Sequence, residues 1–365
     1  MYRNKRKIRV AIIFGGKSAE HEVSLQSAKN VVDAIDKDKY DVTLVGIDKN
    51  GRWHKNDASF LLNATNPRLI KLNNKNSIAV VPAPNNSSQL VSLETQESAI
   101  IDVAFPILHG PFGEDGTIQG LLKLAGIPFV GSSVLGSAVG MDKDVMKRLF
   151  RQANLLTPNC IVLHRKDKPS FRQIRKTLGS PLFIKPANMG SSVGVSKATN
   201  KSEFDKAVRE AFKFDAKVLV EECITGREIE CAILGNDNPT ASVPGEVLPS
   251  HDFYSYEAKY MDENGAVLEI PARLTAQKTK EVRAIAVKAF EVLCLEGMAR
   301  VDLFLTKNGK VYVNEANTIP GFTKISMYPK LWEASGISYS KLIDKLIGLA
   351  LDRFNREGRI QTQYF

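Results

Sequence analysis

Residues 297–324, GMARVDLFLTKNGKVYVNEANTIPGFTK, constrain the fold more than any other stretch. Apolar residues alternate along 299–305 and again along 311–313. Asn308-Gly309 stands between the two runs, and that dipeptide is a strong short-range signal for a two-residue hairpin turn. With those two residues as the turn, Lys307 lies opposite Lys310. Counting back sets Phe304 against Val313, Asp302 against Glu315 and Arg300 against Asn317. Strand side chains alternate with period two, so the last six share a face. Two carboxylates directly opposite each other repel, and Asn317 sits beside them, which points to a cation in the gap. Every candidate ligand is an oxygen, so Mg2+ or Mn2+ fits. The bland alternative is a surface hairpin with solvated charges. Against it stand the apolar neighbours Val301, Leu303, Phe304 and Leu305 and the Pro320-Gly321 turn that follows. Mg2+ held by few carboxylates usually also holds phosphates, so a nucleotide site is expected elsewhere in the chain.

A chain of 365 residues exceeds one ordinary core, so two or three domains are expected. No apolar run approaches the ~20 residues of a membrane helix. The basic stretch 3–9 precedes an apolar run, 10–14, too short for a signal-peptide core. A cytoplasmic protein with no membrane partner is therefore expected. The four cysteines, Cys160, Cys223, Cys231 and Cys294, show neither metal spacing nor a paired framework. The net charge of +10 is dispersed, and no nucleic-acid motif accompanies it. The balance is compatible with an anionic small substrate such as ATP.

Along the chain, 10–14 reads as a buried strand ending in Gly15-Gly16, 23–35 as a helix and 40–48 as a second strand, a parallel doubly wound unit. The dinucleotide fingerprint is absent, which disfavours a dehydrogenase. Glu20 follows the first strand, where it either faces a ligand crevice or is a first-turn acid favoured by the helix dipole. A short hairpin is expected around 78–82 and 90–93. The strand 101–108 ends in HGPFGEDG, so His109 is either a packed residue or part of the same crevice, and 117–124 reads as a helix. Residues 142–153 form a basic amphipathic helix. The strand 181–185 leads into PANMGSSVG, a loop able to present backbone N–H groups to phosphate. Lys185 stands in an otherwise apolar strand, where an unpaired ammonium is costly and a phosphate would relieve the cost. A helix (202–212) and strands at 217–221 and 227–233 follow. Residues 248–264, polar and aromatic without periodicity, read as a lid between strands near 241–247 and 267–271. Helices are expected at 275–293 and 341–355.

Taken in order, FGGKSAEHEVSL, HGPFGEDG, MDK, KPANMGSSVGVS, EAKY, ARVD and NEANTIPGFT closely resemble D-alanine–D-alanine ligases of the ATP-grasp superfamily. The resemblance runs from Val10 to about Leu349. It implies an α/β chain, with an α+β C-terminal part, in three domains: 1–130 with a doubly wound parallel sheet, 131–220, and 221–365 with the lid 248–264. It implies ATP and two Mg2+ ions, with Mn2+ as a substitute, D-alanine as substrate, and a homodimer.

The resemblance also assigns roles. Lys143 and Lys185 contact nucleotide phosphates, and residues 190–194, with Ser191 and Ser192, cover them. Glu221, Glu222, Cys223 and Ile224 hold adenine largely through backbone groups; Glu222 stands where some relatives carry a basic residue. Glu228 binds the ribose, and Phe304 joins the nucleotide contacts. Asp302, Glu315 and Asn317 hold the metal ions. The implied chemistry has two steps: the first D-alanine takes the γ-phosphoryl group, and the second displaces phosphate from the acyl phosphate. Glu20 pairs with the first ammonium, with His109 close by. Arg300 and the Gly321 N–H stabilise the oxyanion, and Ser326 and Met327 meet the second D-alanine. Tyr260, Ser191 and Glu20 link the lid to the site, and Lys259 approaches the phosphate. The intact Lys259-Tyr260 pair favours the peptide product over an ester. Alternatives are a ligase that takes D-lactate or D-serine second, and a nucleotide-binding regulator without turnover.

Overall fold

The structure is a computed structural model that describes residues 6–56, 76–81, 89–249 and 266–361. In the first sheet Ile8–Gly15, Tyr40–Ile47 and Val103–Ile107 run parallel, and Trp53–Asn56 adds an antiparallel edge. Residues 10–14 are all fully buried, as expected for a parallel sheet covered on both faces. His21–Ala34 and, from far along the chain, Tyr339–Glu357 cover one face. Thr117–Leu124 covers the other, together with Ile78 and Leu90 of the short hairpin Ile78–Val81/Gln89–Ser92. Arg353 fastens the last helix: its guanidinium donates to the Phe129 carbonyl at 2.7 Å and to that of Gly131, and lies 4.4 Å from the Phe129 ring centroid.

The second sheet is antiparallel, in the order Ser196–Ala198, Leu182–Pro186, Lys217–Glu222, Cys160–His164. Phe171–Leu178 and Lys201–Phe214 pack on it. The expected division at 220–221 falls inside the strand Lys217–Glu222, and the link to the next sheet comes at 223–225.

The third sheet is antiparallel, in the order Ala266–Glu269, Gly245–Pro249, Gly226–Gly235, Gly297–Thr306, Val311–Asn317, with Thr240–Ala241 paired to Gly226–Gly235. The helix Ala276–Val292 buries one face. Gly245–Pro249 and Ala266–Glu269 are neighbours, and Pro249 pairs with Ala266. Most of the expected lid, with Lys259 and Tyr260, lies outside the described residues.

The strand Cys160–His164 and the helices Val134–Met141, Phe171–Leu178 and Met327–Ala334 were not anticipated. Each helix spans eight residues, about two turns, too few to establish a period; Val134–Met141 also carries two glycines.

Candidate active site

The central hairpin departs from expectation twice. The turn is one residue longer than Asn308-Gly309: Thr306 N–H donates to the Lys310 carbonyl at 3.0 Å, and Gly309, at φ 80°, closes the loop by donating to the Thr306 carbonyl at 2.9 Å. Lys307 therefore does not face Lys310, and Phe304 pairs with Tyr312 rather than Val313. A β-bulge then restores the register. Leu303 pairs with Val313 but Asp302 pairs with Glu315, which leaves Asn314 as the extra residue. The two offsets cancel, so Asp302 meets Glu315 and Arg300 meets Asn317, as counted from the turn. Val313 is fully buried on the opposite face.

Three cross-strand rows result: Glu228–Phe304–Tyr312, Glu230–Asp302–Glu315 and Ala232–Arg300–Asn317. Glu230 was missed. It follows Glu228 with strand period, but only the pairing of Gly226–Gly235 with Gly297–Thr306 reveals its neighbours. Arg300 forks onto Asp302 with two bonds of 2.7 Å, and its Nε lies 2.9 Å from Glu230. The Asn317 amide donates to Asp302 at 3.0 Å, and Lys143 Nζ is 3.4 Å from Glu315. The facing acids are thus compensated by Arg300 and Lys143, so their repulsion alone does not require a metal ion. Among the described residues no three His, Cys, Asp or Glu side chains form a metal cage. Two acids and an amide suit a hard cation whose remaining ligands are phosphate oxygens and water.

Lys143 also donates to the Met189 carbonyl at 2.8 Å, which ties the acidic row to the Ser/Gly loop. That loop contains Ser191 and Ser192 in the left-handed region, at φ 49° and 60°. Lys185 is not unpaired: its Nζ is 2.7 Å from Glu221 Oε2, and Lys147 approaches the other oxygen at 3.3 Å. Burial disfavours the Glu221 charge, but the two ammonium groups outweigh it and hold its pKa below the ordinary carboxylate value. The neighbouring Glu222 carboxylate accepts the Asn159 N–H at 2.7 Å, giving it a structural task. Cys223 and Ile224 are half-buried in the connection to the third sheet.

The N-terminal sheet delivers Glu20 and His109. Glu20 occupies the N-cap of His21–Ala34 without a side-chain capping bond; it accepts instead from the Ser191 hydroxyl. A Cβ on Gly110 or Gly190 would stand 2.8 or 2.9 Å from Glu20 Oε2, so glycine at both positions lets two loops close on this carboxylate. Glu114, also missed although it lies in the HGPFGEDG run, accepts from the N–H groups of Gly110 at 2.8 Å and Ile319 at 3.1 Å. Burial and the nearby Glu20 charge raise its pKa.

His109 pins the opposite loop. Its Nδ1 is 3.1 Å from the Ile319 carbonyl and its Nε2 is 3.3 Å from Ser27 Oγ, which accepts the Phe322 N–H at 3.3 Å. Gly321 is thereby fixed from both sides. A Cβ on Gly321 would meet Ser326 Oγ at 2.7 Å, and that oxygen accepts the Thr323 N–H at 2.9 Å. The Met327 side chain is buried in the core, so a substrate contact is left to its main chain.

Burial lowers the His109 pKa to about 4, below the 6.5 of an unfolded histidine. The folded chain therefore binds fewer protons at this site, and its contribution is present above pH 6.5 and lost as pH falls toward 4. From pH 7 to pH 5, urea unfolding should show the stability gap between the parent and His109→Gln narrowing by on the order of 2 kcal/mol. A gap independent of pH would show that the ring is not held neutral.

The "D-ala D-ala ligase N-terminus" family profile matches residues 9–132, and the "D-ala D-ala ligase C-terminus" profile matches residues 149–348. A D-alanine–D-alanine ligase of Oceanobacillus iheyensis is 57% identical over 98% of both chains. The D-alanine–D-alanine ligase structure from Coxiella burnetii superimposes with a TM-score of 0.87 at 40% identity, covering 97% of each chain. VanG D-Ala:D-Ser ligase from Enterococcus faecalis gives 0.83 at 39% identity, covering 94% of this chain and all of its own (100%). The Bacillus anthracis ligase complexed with ATP gives 0.72 at 29%, covering 96% of this chain and 100% of its own. With its sheets and site so arranged, the chain belongs to the D-alanine–D-alanine ligase family and has the ATP-grasp fold.

Proposed function

We propose that this chain uses ATP to join two D-alanines through a D-alanyl phosphate, with the residues above in defined roles. The observation that carries the proposal is Lys143, which touches both Glu315 of the acidic row and the Met189 carbonyl at the start of the Ser/Gly loop. Triphosphate placed there meets Lys143 and Lys185, with Ser191 and Ser192 closing over it. Adenine lies along 221–224 beside Phe304, and the ribose meets Glu228. Asp302, Glu315 and Asn317 are the residues that would hold Mg2+ or Mn2+, which when bound neutralises charge on the transferred phosphoryl group.

Glu20 receives the ammonium of the first D-alanine, and the carboxylate of that D-alanine attacks the γ-phosphorus as ADP leaves. The amine of the second D-alanine then attacks the acyl carbon, and phosphate departs. Arg300 stabilises the tetrahedral oxyanion with the Gly321 N–H. His109 acts through the loop it fixes. Ser326 and the Met327 main chain meet the second D-alanine, whose carboxylate suits a helix N-terminus. Lys259 and Tyr260 close over the acyl phosphate and keep water away. We expect a homodimer in the cytoplasm; no helix among the described residues is long and apolar enough to cross a membrane.

The test is phosphate release from ATP with D-alanine, L-alanine, D-serine and D-lactate offered singly and in pairs. Release should require D-alanine and be fastest with D-alanine alone. Release without D-alanine removes the proposal, while a preference for D-serine as second substrate would move the chain toward the VanG type. Tyr260→Phe should loosen second-substrate choice, and an unchanged preference would count against its role in the lid.

A further inference from the structure

Lys147 lies one turn beyond Lys143 on the helix Lys143–Gln152, is fully buried, and has no part in the steps above. Its ammonium donates to the Asn314 carbonyl at 3.2 Å and the Thr157 hydroxyl at 3.3 Å, and lies 3.3 Å from Glu221. An apolar side chain would fill the space without the cost of burying a charge. Nor is Lys147 needed to neutralise Glu221, which already has Lys185 at 2.7 Å. What Lys147 adds is a contact with the bulge. Asn314 is the extra residue there, and a bulge takes main-chain groups out of the ladder, leaving them to find other partners. Lys147 serves the Asn314 carbonyl, and the Leu156 carbonyl accepts the Val313 N–H at 2.8 Å.

We propose that Lys147 is a positioning residue that clamps the Asn314 bulge, and so keeps Glu315 opposite Asp302 for a divalent ion. The inference rests on Asp302, Glu315 and Asn317 being the metal ligands. Without the clamp the bulge can migrate along the strand, and a one-residue slip past Glu315 sends its side chain to the buried face. Lys147 thereby acts on the metal through Glu315 and leaves the nucleotide to Lys143 and Lys185.

The experiment follows Mn2+ by its paramagnetic resonance signal in the presence of saturating ADP, with ADP affinity measured separately without divalent ion. Lys147→Met keeps the apolar stem and leaves a neutral Glu221–Lys185 pair. Mn2+ binding should weaken about tenfold, while metal-free ADP binding stays within twofold. Lys147→Gln, which keeps an amide donor, should recover part of the loss and carries the comparison if the Met variant does not fold. Asp302→Asn serves as the control. If it leaves Mn2+ binding unchanged, the metal assignment itself fails. If it weakens Mn2+ while Lys147→Met does not, or if Lys147→Met weakens metal-free ADP binding equally, the positioning role is overturned.

Discussion

Asp302→Asn should lower turnover by roughly a thousandfold or more while the fold survives. Asp302 is where the site converges: it accepts both bonds of the Arg300 fork and the Asn317 amide, and it faces Glu315 across the strands. Asparagine keeps the shape but gives up a charge that phosphoryl transfer needs for a cation. Folding should tolerate the change because Arg300 retains Glu230 at 2.9 Å, so no buried cation is stranded. Thermal denaturation should shift by a few degrees at most, corresponding to about 1 kcal/mol. A variant that failed to fold would assign the carboxylate a structural role, and one that kept ordinary turnover would remove it from the chemistry.

Lys185→Met should raise the KM for ATP roughly a hundredfold, about 2.7 kcal/mol, and change the KM for D-alanine little. Lys185 is buried in the strand Leu182–Pro186 with its ammonium against Glu221. Burial opposes its charge, yet Glu221 and Glu315 together raise its pKa, so it remains a cation available to phosphate. Removing it leaves Lys147 to balance Glu221 at 3.3 Å, so the loss should fall on nucleotide binding rather than on folding. An ATP KM within threefold of the parent would mean that Lys185 serves only Glu221.

These two variants probe features that were unequally legible in the sequence. Two of the parallel strands were plain because residues 10–14 and Val103–Ile107 are apolar without interruption, as strands buried on both faces are. The Asp302–Glu315 pairing was reached from a turn one residue too short, and came right because the Asn314 bulge supplies the missing residue. Phe304, which lies between the turn and the bulge, received the wrong partner from the short turn, and a bulge has no composition signal of its own to reveal the offset. Lys185 looked unpaired because Glu221 is distant in sequence and adjacent only after Leu182–Pro186 pairs with Lys217–Glu222. Glu230 was hidden for the same reason, as it gains meaning from a register that sequence spacing does not encode. Lys147 shares a helix face with Lys143, but nothing local tells a buried lysine from a solvated one.

The helix Tyr339–Glu357 lies over the sheet that contains Ile8–Gly15, and its Arg353 grips Phe129 and Gly131. His21–Ala34 covers part of that apolar face early in translation, but the part under Tyr339–Glu357 waits until this late helix emerges. Until then the nascent chain exposes that remaining apolar strip, and transiently exposed apolar surface favours aggregation. Chains shortened before Tyr339 should therefore be recovered in lower soluble yield than the parent, since that strip stays bare.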